Sequence, residues 1–77
     1  DQQGNEVDLL IEENGRLTAI EIKASQTFNT RLMSGLKRWD AVKAMLPSDN
    51  YLVYAGQQNM TIEDTQILPW RDALEIL

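Results

Sequence analysis

Asp8, Glu21 and Lys23 carry the chemistry of this sequence: two carboxylates and an ammonium that interrupt an otherwise apolar stretch, EVDLLIEENGRLTAIEIKAS (6–25). Asn14-Gly15 stands at its centre. Asn-Gly between β-rich runs is a strong hairpin signal, because a type I′ turn needs positive φ at both central positions. The stretch therefore predicts two antiparallel strands, roughly Glu6–Glu13 and Arg16–Ala24. A two-residue loop pairs Glu13 with Arg16, which carries Asp8 opposite Glu21 and Glu6 opposite Lys23. Opposed residues share a face, with Cβ atoms about 4.5–5.5 Å apart. Val7, Leu9, Ile11, Ile20 and Ile22 then form one face, which reads as core. The other face carries Glu6, Asp8, Glu21 and Lys23 at one end and Leu10, Leu17 and Ala19 at the other.

Two carboxylates set opposite each other repel, and such pairs destabilise a sheet. A divalent cation would offset that repulsion. Mg²⁺ binds oxygen ligands, commonly one or two carboxylates, and keeps several of its waters; Mn²⁺ would serve in its place. The backbone carbonyl of Ile22 offers a third ligand. Lys23, on the face of Glu21, stands where it would orient a water or steady a developing anion. That is equipment for metal-assisted phosphodiester hydrolysis. A plainer reading needs no metal: a half-solvated hairpin carries charges on its outer face, and Glu6–Lys23 is an ordinary cross-strand pair. Short patterns alone do not decide between the two.

The elements that must position these residues follow from hydrophobic period. Thr27, Asn29 and Thr30 are capping types, and a stripe of Leu32, Leu36, Trp39, Val42 and Leu46, widened by Met33 and Met45, fits a helix lying on a sheet and ending near Pro47. Tyr51–Ala55 (YLVYA) reads as a buried strand following Ser-Asp-Asn, and 56–59 (GQQN) as a loop. Met60–Ile62 and Gln66–Leu68 are short strands about the acidic corner Glu63-Asp64, and Trp70–Leu77 is one closing helical turn or two. Strand, strand, helix, strand in this order predicts an α/β fold with a mixed sheet.

Composition sets limits around this picture. The 77 residues make one thin domain without cysteine, so no disulfide staples it. No apolar run approaches the roughly 20 residues of a membrane-spanning helix, and no signal peptide is visible, which leads us to expect a cytoplasmic protein with no membrane partner. Twelve acidic against seven basic side chains, a net charge of -5, argue against strong non-specific attraction to nucleic acid. Local charge distribution outweighs that sum. The opening DQQG, without an initiator methionine, suggests an excised piece of a longer protein.

Asp8 followed, after a hairpin, by Glu21-Ile22-Lys23 resembles the PD-(D/E)xK nuclease-like superfamily. The wider series GNEVDLLIE, IEIKAS, a helix carrying GLKRW, LVYAG and ILPW resembles the nuclease-like C-terminal region fused to AAA+-type ATPases in bacteria and archaea. The likeness runs from about Gly4 to the C-terminus. It implies a restriction-endonuclease-like core of β-hairpin, helix and strand with a short C-terminal β/α extension, truncated because the family's upstream helix and first strand are not in the sequence. It implies Asp8 and Glu21 as metal ligands, Lys23 as the catalytic lysine, Mg²⁺ or Mn²⁺ as cofactor and DNA as substrate. It also implies an ATPase domain in the parent chain as partner. Val7 stands where the signature has proline, the upstream helix often supplies a further acidic residue, and no GxxxxGK[ST] phosphate loop occurs here. A sheet shortened in this way leaves an edge unpaired, which predicts self-association. The alternative implied function is a catalytically inactive interaction or regulatory module on the same ATPase, for which the net charge argues.

Other polar residues admit plain readings. Arg31, Lys37, Arg38 and Lys43 on the helix could contact phosphates, but they also suit the solvated side of an amphipathic helix. Trp39 falls in the apolar stripe, and Trp70 beside Pro69 is expected to pack the closing turn, rather than to stack on bases. Tyr51 and Tyr54 fall on opposite strand faces, so at most one faces Glu21. Gln57 and Gln58 are loop residues without a case for a role.

Overall fold

A computed structural model describes residues 8–42 and 48–76, the side chains of Val42 and Ile76 aside. Within these residues a five-stranded mixed sheet is backed by helical segments on both faces. Its strands are β1 (Leu9–Glu13), β2 (Arg16–Ile22), β3 (Ser48–Tyr54), β4 (Met60–Ile62) and β5 (Thr65–Pro69), in the spatial order β1-β2-β3-β5-β4. The β1–β2 and β4–β5 pairs are antiparallel hairpins; β2–β3 and β3–β5 are parallel. A single 3₁₀ turn, Thr30–Met33, leads into α1 (Ser34–Val42), which crosses between β2 and β3. A second 3₁₀ segment, Trp70–Ile76, follows β5.

Local sequence accounts for the boundaries. Asn14 and Gly15 adopt φ of 56° and 80°, as the type I′ reversal requires, and Glu13 pairs with Arg16 as expected. Asn29 caps the first helical turn, its Oδ1 accepting from the Arg31 N–H at 2.9 Å, which satisfies a donor the turn would leave orphaned. Glu63 takes φ of 54°, so the acidic corner is the tight turn of the β4–β5 hairpin.

Strand β3 starts three residues earlier than the apolar run suggests. Ser48, Asp49 and Asn50 belong to it. Their polar side chains are tolerated because each finds a partner across the fold. Asp49 receives both arms of the Arg16 guanidinium at 2.7 and 2.8 Å. The Trp39 indole donates to Ser48 Oγ at 3.2 Å, Ser48 to Asn50 Oδ1 at 2.8 Å, and buried Asn50 to Asp40 Oδ1 at 2.8 Å. Trp39 thus joins helix and sheet. Met45, Leu46 and the expected stop at Pro47 lie outside the described residues.

Both sheet faces are covered, each by a different layer. Ala19, Leu52, Tyr54 and Ile67 meet Met33 and Leu36 of the helical crossover, while Ile20, Val53 and Leu68 meet Ala73 of the closing segment with Ile11 and Tyr51 at the margin. The helix therefore lies on the face of Ala19 and Glu21, not on the face of Leu9, Ile11 and Ile22. The hairpin's apolar face is core in part: Ile20 is buried and Ile11 packs on its cluster, as expected, whereas Leu9 and Ile22 remain 41% and 39% exposed. A helical crossover must cover one sheet face, and the hairpin pattern does not say which. Trp70, expected to pack the closing turn, is 51% exposed.

Candidate functional site

The site forms where β2 ends. Glu21 is the penultimate residue of the strand and shares its row with Leu52 and Ile67, so the helical layer buries it to 3% exposure. Lys23 is one step beyond the strand and keeps its N–H on the Val53 carbonyl at 2.8 Å, which extends the parallel ladder past Ile22. Because side chains alternate along a strand, Lys23 points to the same face as Glu21. Its Nζ lies 3.4 Å from Glu21 Oε1, with the lysine side chain 31% exposed.

Asp8 reaches this pair by a route that strand pairing alone did not predict. The regular β1–β2 register runs from Glu13 to Leu9, and there it stops. Leu9 pairs with Ile20, yet the Asp8 N–H also donates to the Ile20 carbonyl, at 3.1 Å. Two consecutive residues of one strand thus oppose one residue of the other, the arrangement of a β-bulge. Asp8 is therefore not paired directly with Glu21, which corrects the simple extrapolation of the hairpin. The bulge re-aims its carboxylate, and Asp8 Oδ2 accepts the Ile22 N–H at 2.7 Å. Asp8 thereby caps the end of β2 and still stands close enough to Glu21 to act on it through charge and hydrogen bonding.

The electrostatics follow from this crowding. Burial pushes the Glu21 carboxyl above its usual range, since the low-dielectric interior disfavours its charge; the Lys23 ammonium opposes that rise, and the Asp8 carboxylate adds to it. The surroundings of Glu21 thus disfavour its charged form, through burial first and the neighbouring Asp8 carboxylate as well. A divalent cation is suited to such a place.

The donor set fits a hard cation. Asp8 and Glu21 offer carboxylate oxygens, and Ile22 turns its N–H toward Asp8 and hence its carbonyl toward the same side, as strand geometry requires. Among the described residues no group of three or more acidic, histidine or cysteine side chains gathers, so any ion here relies on two carboxylates, a main-chain oxygen and water. Mg²⁺ commonly binds in that way.

The four residues singled out from sequence, Asp8, Glu21, Ile22 and Lys23, are therefore brought together. The signal missed was the bulge, which leaves no mark on an alternating pattern. Arg31, Lys37 and Arg38 are exposed, and Lys43, Glu6 and Val7 lie outside the described residues. Tyr54, on the Glu21 face, ties its hydroxyl to the main chain of Gln58.

The model of one family, described as "Domain of unknown function (DUF4143)", matches residues 1–73. Neither the curated proteins nor the solved structures offer a match to the chain. No helix among the described residues is long and apolar enough to cross a membrane.

Proposed function

The chain belongs to the DUF4143 family, whose description assigns no activity, so its role must be inferred from its own side chains; we propose that it is a divalent-metal-dependent nuclease domain that hydrolyses DNA phosphodiester bonds. The observation that carries the proposal is the meeting of Asp8, Glu21 and Lys23 at the end of β2, with Glu21 buried and its carboxyl pushed up in pKa. We read the hairpin, the helical crossover and parallel β3 as a restriction-endonuclease-like core, and β4, β5 and the closing segment as its extension.

Asp8, Glu21 and the Ile22 carbonyl would hold the ion, Mg²⁺ or Mn²⁺. When bound, it would supply the Lewis acidity that phosphodiester hydrolysis needs. Asp8 is fixed in advance by the Ile22 N–H and Glu21 by burial and by Lys23, so little reorganisation is left for the moment of reaction. Lys23 keeps part of its ammonium in solvent, where it meets an incoming phosphate oxygen or orients the attacking water. Its positive charge then stabilises charge that develops on the phosphoryl group.

Calorimetric titration with Mg²⁺ and with Mn²⁺ tests the metal site. Saturable binding is expected, and heats equal to those of an Asp8→Asn, Glu21→Gln double variant would end the proposal. Nicking of supercoiled plasmid tests the reaction: metal-dependent cleavage lost in Lys23→Gln supports it.

A second reading is favoured by one observation. Leu9 and Ile22, half exposed on the sheet face opposite α1, and Leu74 on the closing segment suit an inactive interaction module of an ATPase. Metal-dependent nicking that requires Lys23 excludes it.

A further inference from the structure

A cleft of about 510 Å³ opens at the same end of the sheet, lined by Gln26, Thr27, Phe28, Tyr54, Gln58 and Met60 among others. It lies outside the carboxyl ends of β2 and β3, where ligands of parallel sheets commonly bind. The β2–β3 register brings it beside the site. Ile22 pairs with Val53, so Lys23 and Tyr54 are neighbours across two adjacent strands, about 4.8 Å apart in the hydrogen-bonding direction.

The lining chemistry distinguishes this cleft. Three other clefts among the described residues each carry at least two carboxylates: Asp49, Glu63 and Asp64 in one, Asp40, Asp49 and Asp64 in a second, Asp72 and Glu75 in a third. The cleft beside Lys23 carries none. On a chain of net charge -5, it is the one of these four clefts whose lining carries no carboxylate to repel a polyanion. It offers a phenyl ring, a thioether and neutral amides, which suit the face and edges of a nucleobase.

The cleft is also held in shape. Gly56 lies so close beneath Tyr54 that a Cβ there would stand 2.3 Å from the ring and 2.7 Å from the Gln26 carbonyl. The Tyr54 hydroxyl donates to the Gln58 carbonyl at 3.0 Å and accepts the Gln58 N–H at 3.1 Å. Arg71 fastens Gln57 Oε1 at 2.6 Å, and Asn59 donates to Asp72 at 3.0 Å. Phe28 meets Tyr54 edge to face with centroids 6.3 Å apart. A loop pinned by so many bonds keeps its rim in place, while the amides of Gln26 and Gln58 are exposed at the cleft and form no hydrogen bond among the described residues.

We infer that this cleft takes one unpaired base of a DNA strand next to the phosphodiester presented to Lys23, with Phe28 as the stacking surface and Gln26 and Gln58 as hydrogen-bonding partners of the base edge. The inference rests on the nuclease reading for its substrate. It goes further in assigning a preference for single-stranded or frayed DNA over a closed duplex, whose paired bases cannot enter.

Fluorescence anisotropy of a labelled single-stranded oligonucleotide, and of the same strand annealed to its complement, tests it. All proteins carry Lys23→Gln, so turnover does not interfere. Phe28→Ala is expected to weaken single-strand binding by roughly 5- to 160-fold, the range of base–aromatic stacking, and to leave duplex binding unchanged. Phe28 packs on the core, so a second variant, Gln26→Ala with Gln58→Ala, both exposed, guards against simple misfolding. It is expected to level the affinities for homopolymers of different bases. Single-strand affinity and base preference unchanged in both variants would overturn the inference, as would equal or weaker binding of single strand than of duplex. Phe28-dependent binding, together with no cleavage in Mg²⁺ or Mn²⁺ by the chain with Lys23 intact, would sink the nuclease reading and leave the base site standing.

Discussion

Replacing Glu21 by glutamine should make the metal-free protein more stable while destroying its response to metal. Glu21 is 3% exposed, and its surroundings as a whole disfavour the charge: burial first, Lys23 opposing, Asp8 adding. A neutral side chain of the same shape removes both the burial cost of the anion and its repulsion with Asp8. A close pair of charges on neighbouring strands is worth about 0.2–1 kcal/mol, here with the sign of repulsion because Asp8, though not paired directly with Glu21, stands near it. For a domain of this size each kcal/mol moves Tm by about 4–8 °C, so a rise of roughly 1–8 °C in chelator is expected. Lys23 loses an ionic partner but keeps a hydrogen-bond acceptor, and its partial exposure lets water make up the rest. The sign with pH follows. A carboxyl whose folded pKa lies above its unfolded value favours folding in acid and loses that contribution as pH rises through the folded pKa. The difference between the two proteins should thus be small below the ordinary glutamate range and open as pH rises above it. Metal acts oppositely. A ligand present at a hundredfold over its Kd stabilises the wild type by about 2.7 kcal/mol and the variant not at all. Differential scanning fluorimetry across pH, with chelator or Mg²⁺, reads all three effects. A variant less stable than wild type in chelator at neutral pH, or one that keeps the Mg²⁺ shift, would refute this account of Glu21.

Lys23→Gln keeps a hydrogen-bonding group near Glu21 but no charge; Mg²⁺ binding by calorimetry should persist while plasmid nicking falls about 10²- to 10³-fold, as when one transition-state donor is lost. Gly56→Ala sets a methyl against the Tyr54 ring and the Gln26 carbonyl, and should cost about 1–3 kcal/mol in urea unfolding. Gly15→Val, at φ of +80° in open space, should cost about 1–2 kcal/mol from backbone strain alone, again by denaturant midpoint. A Gly15→Val protein as stable as wild type would mean that the hairpin does not turn there.

Much of this protein is legible in its sequence. Asn14-Gly15 specified its own turn, because few dipeptides tolerate two positive φ values, and the turn fixed the pairing from Glu13 back to Leu9. The helical stripe and the short strands of the C-terminal part were readable from their period. Ser48–Asn50 was not. Three polar residues look like a loop until Arg16, Trp39 and Asp40 arrive from distant parts of the chain to satisfy them. The bulge at Asp8 was equally hidden, since an extra residue in a strand end changes no composition.

Local sequence was enough to place two acidic groups and a lysine near the end of a tight hairpin's second strand, because dihedral preference and alternation are local properties. That the helix lies on the acidic face, burying Glu21 and leaving Leu9 and Ile22 half exposed, was settled by packing between distant segments. The choice of face depends on how the crossover winds between β2 and β3. That is a relation between segments far apart in the chain, and it sets the dielectric around the carboxylate on which the proposed chemistry depends.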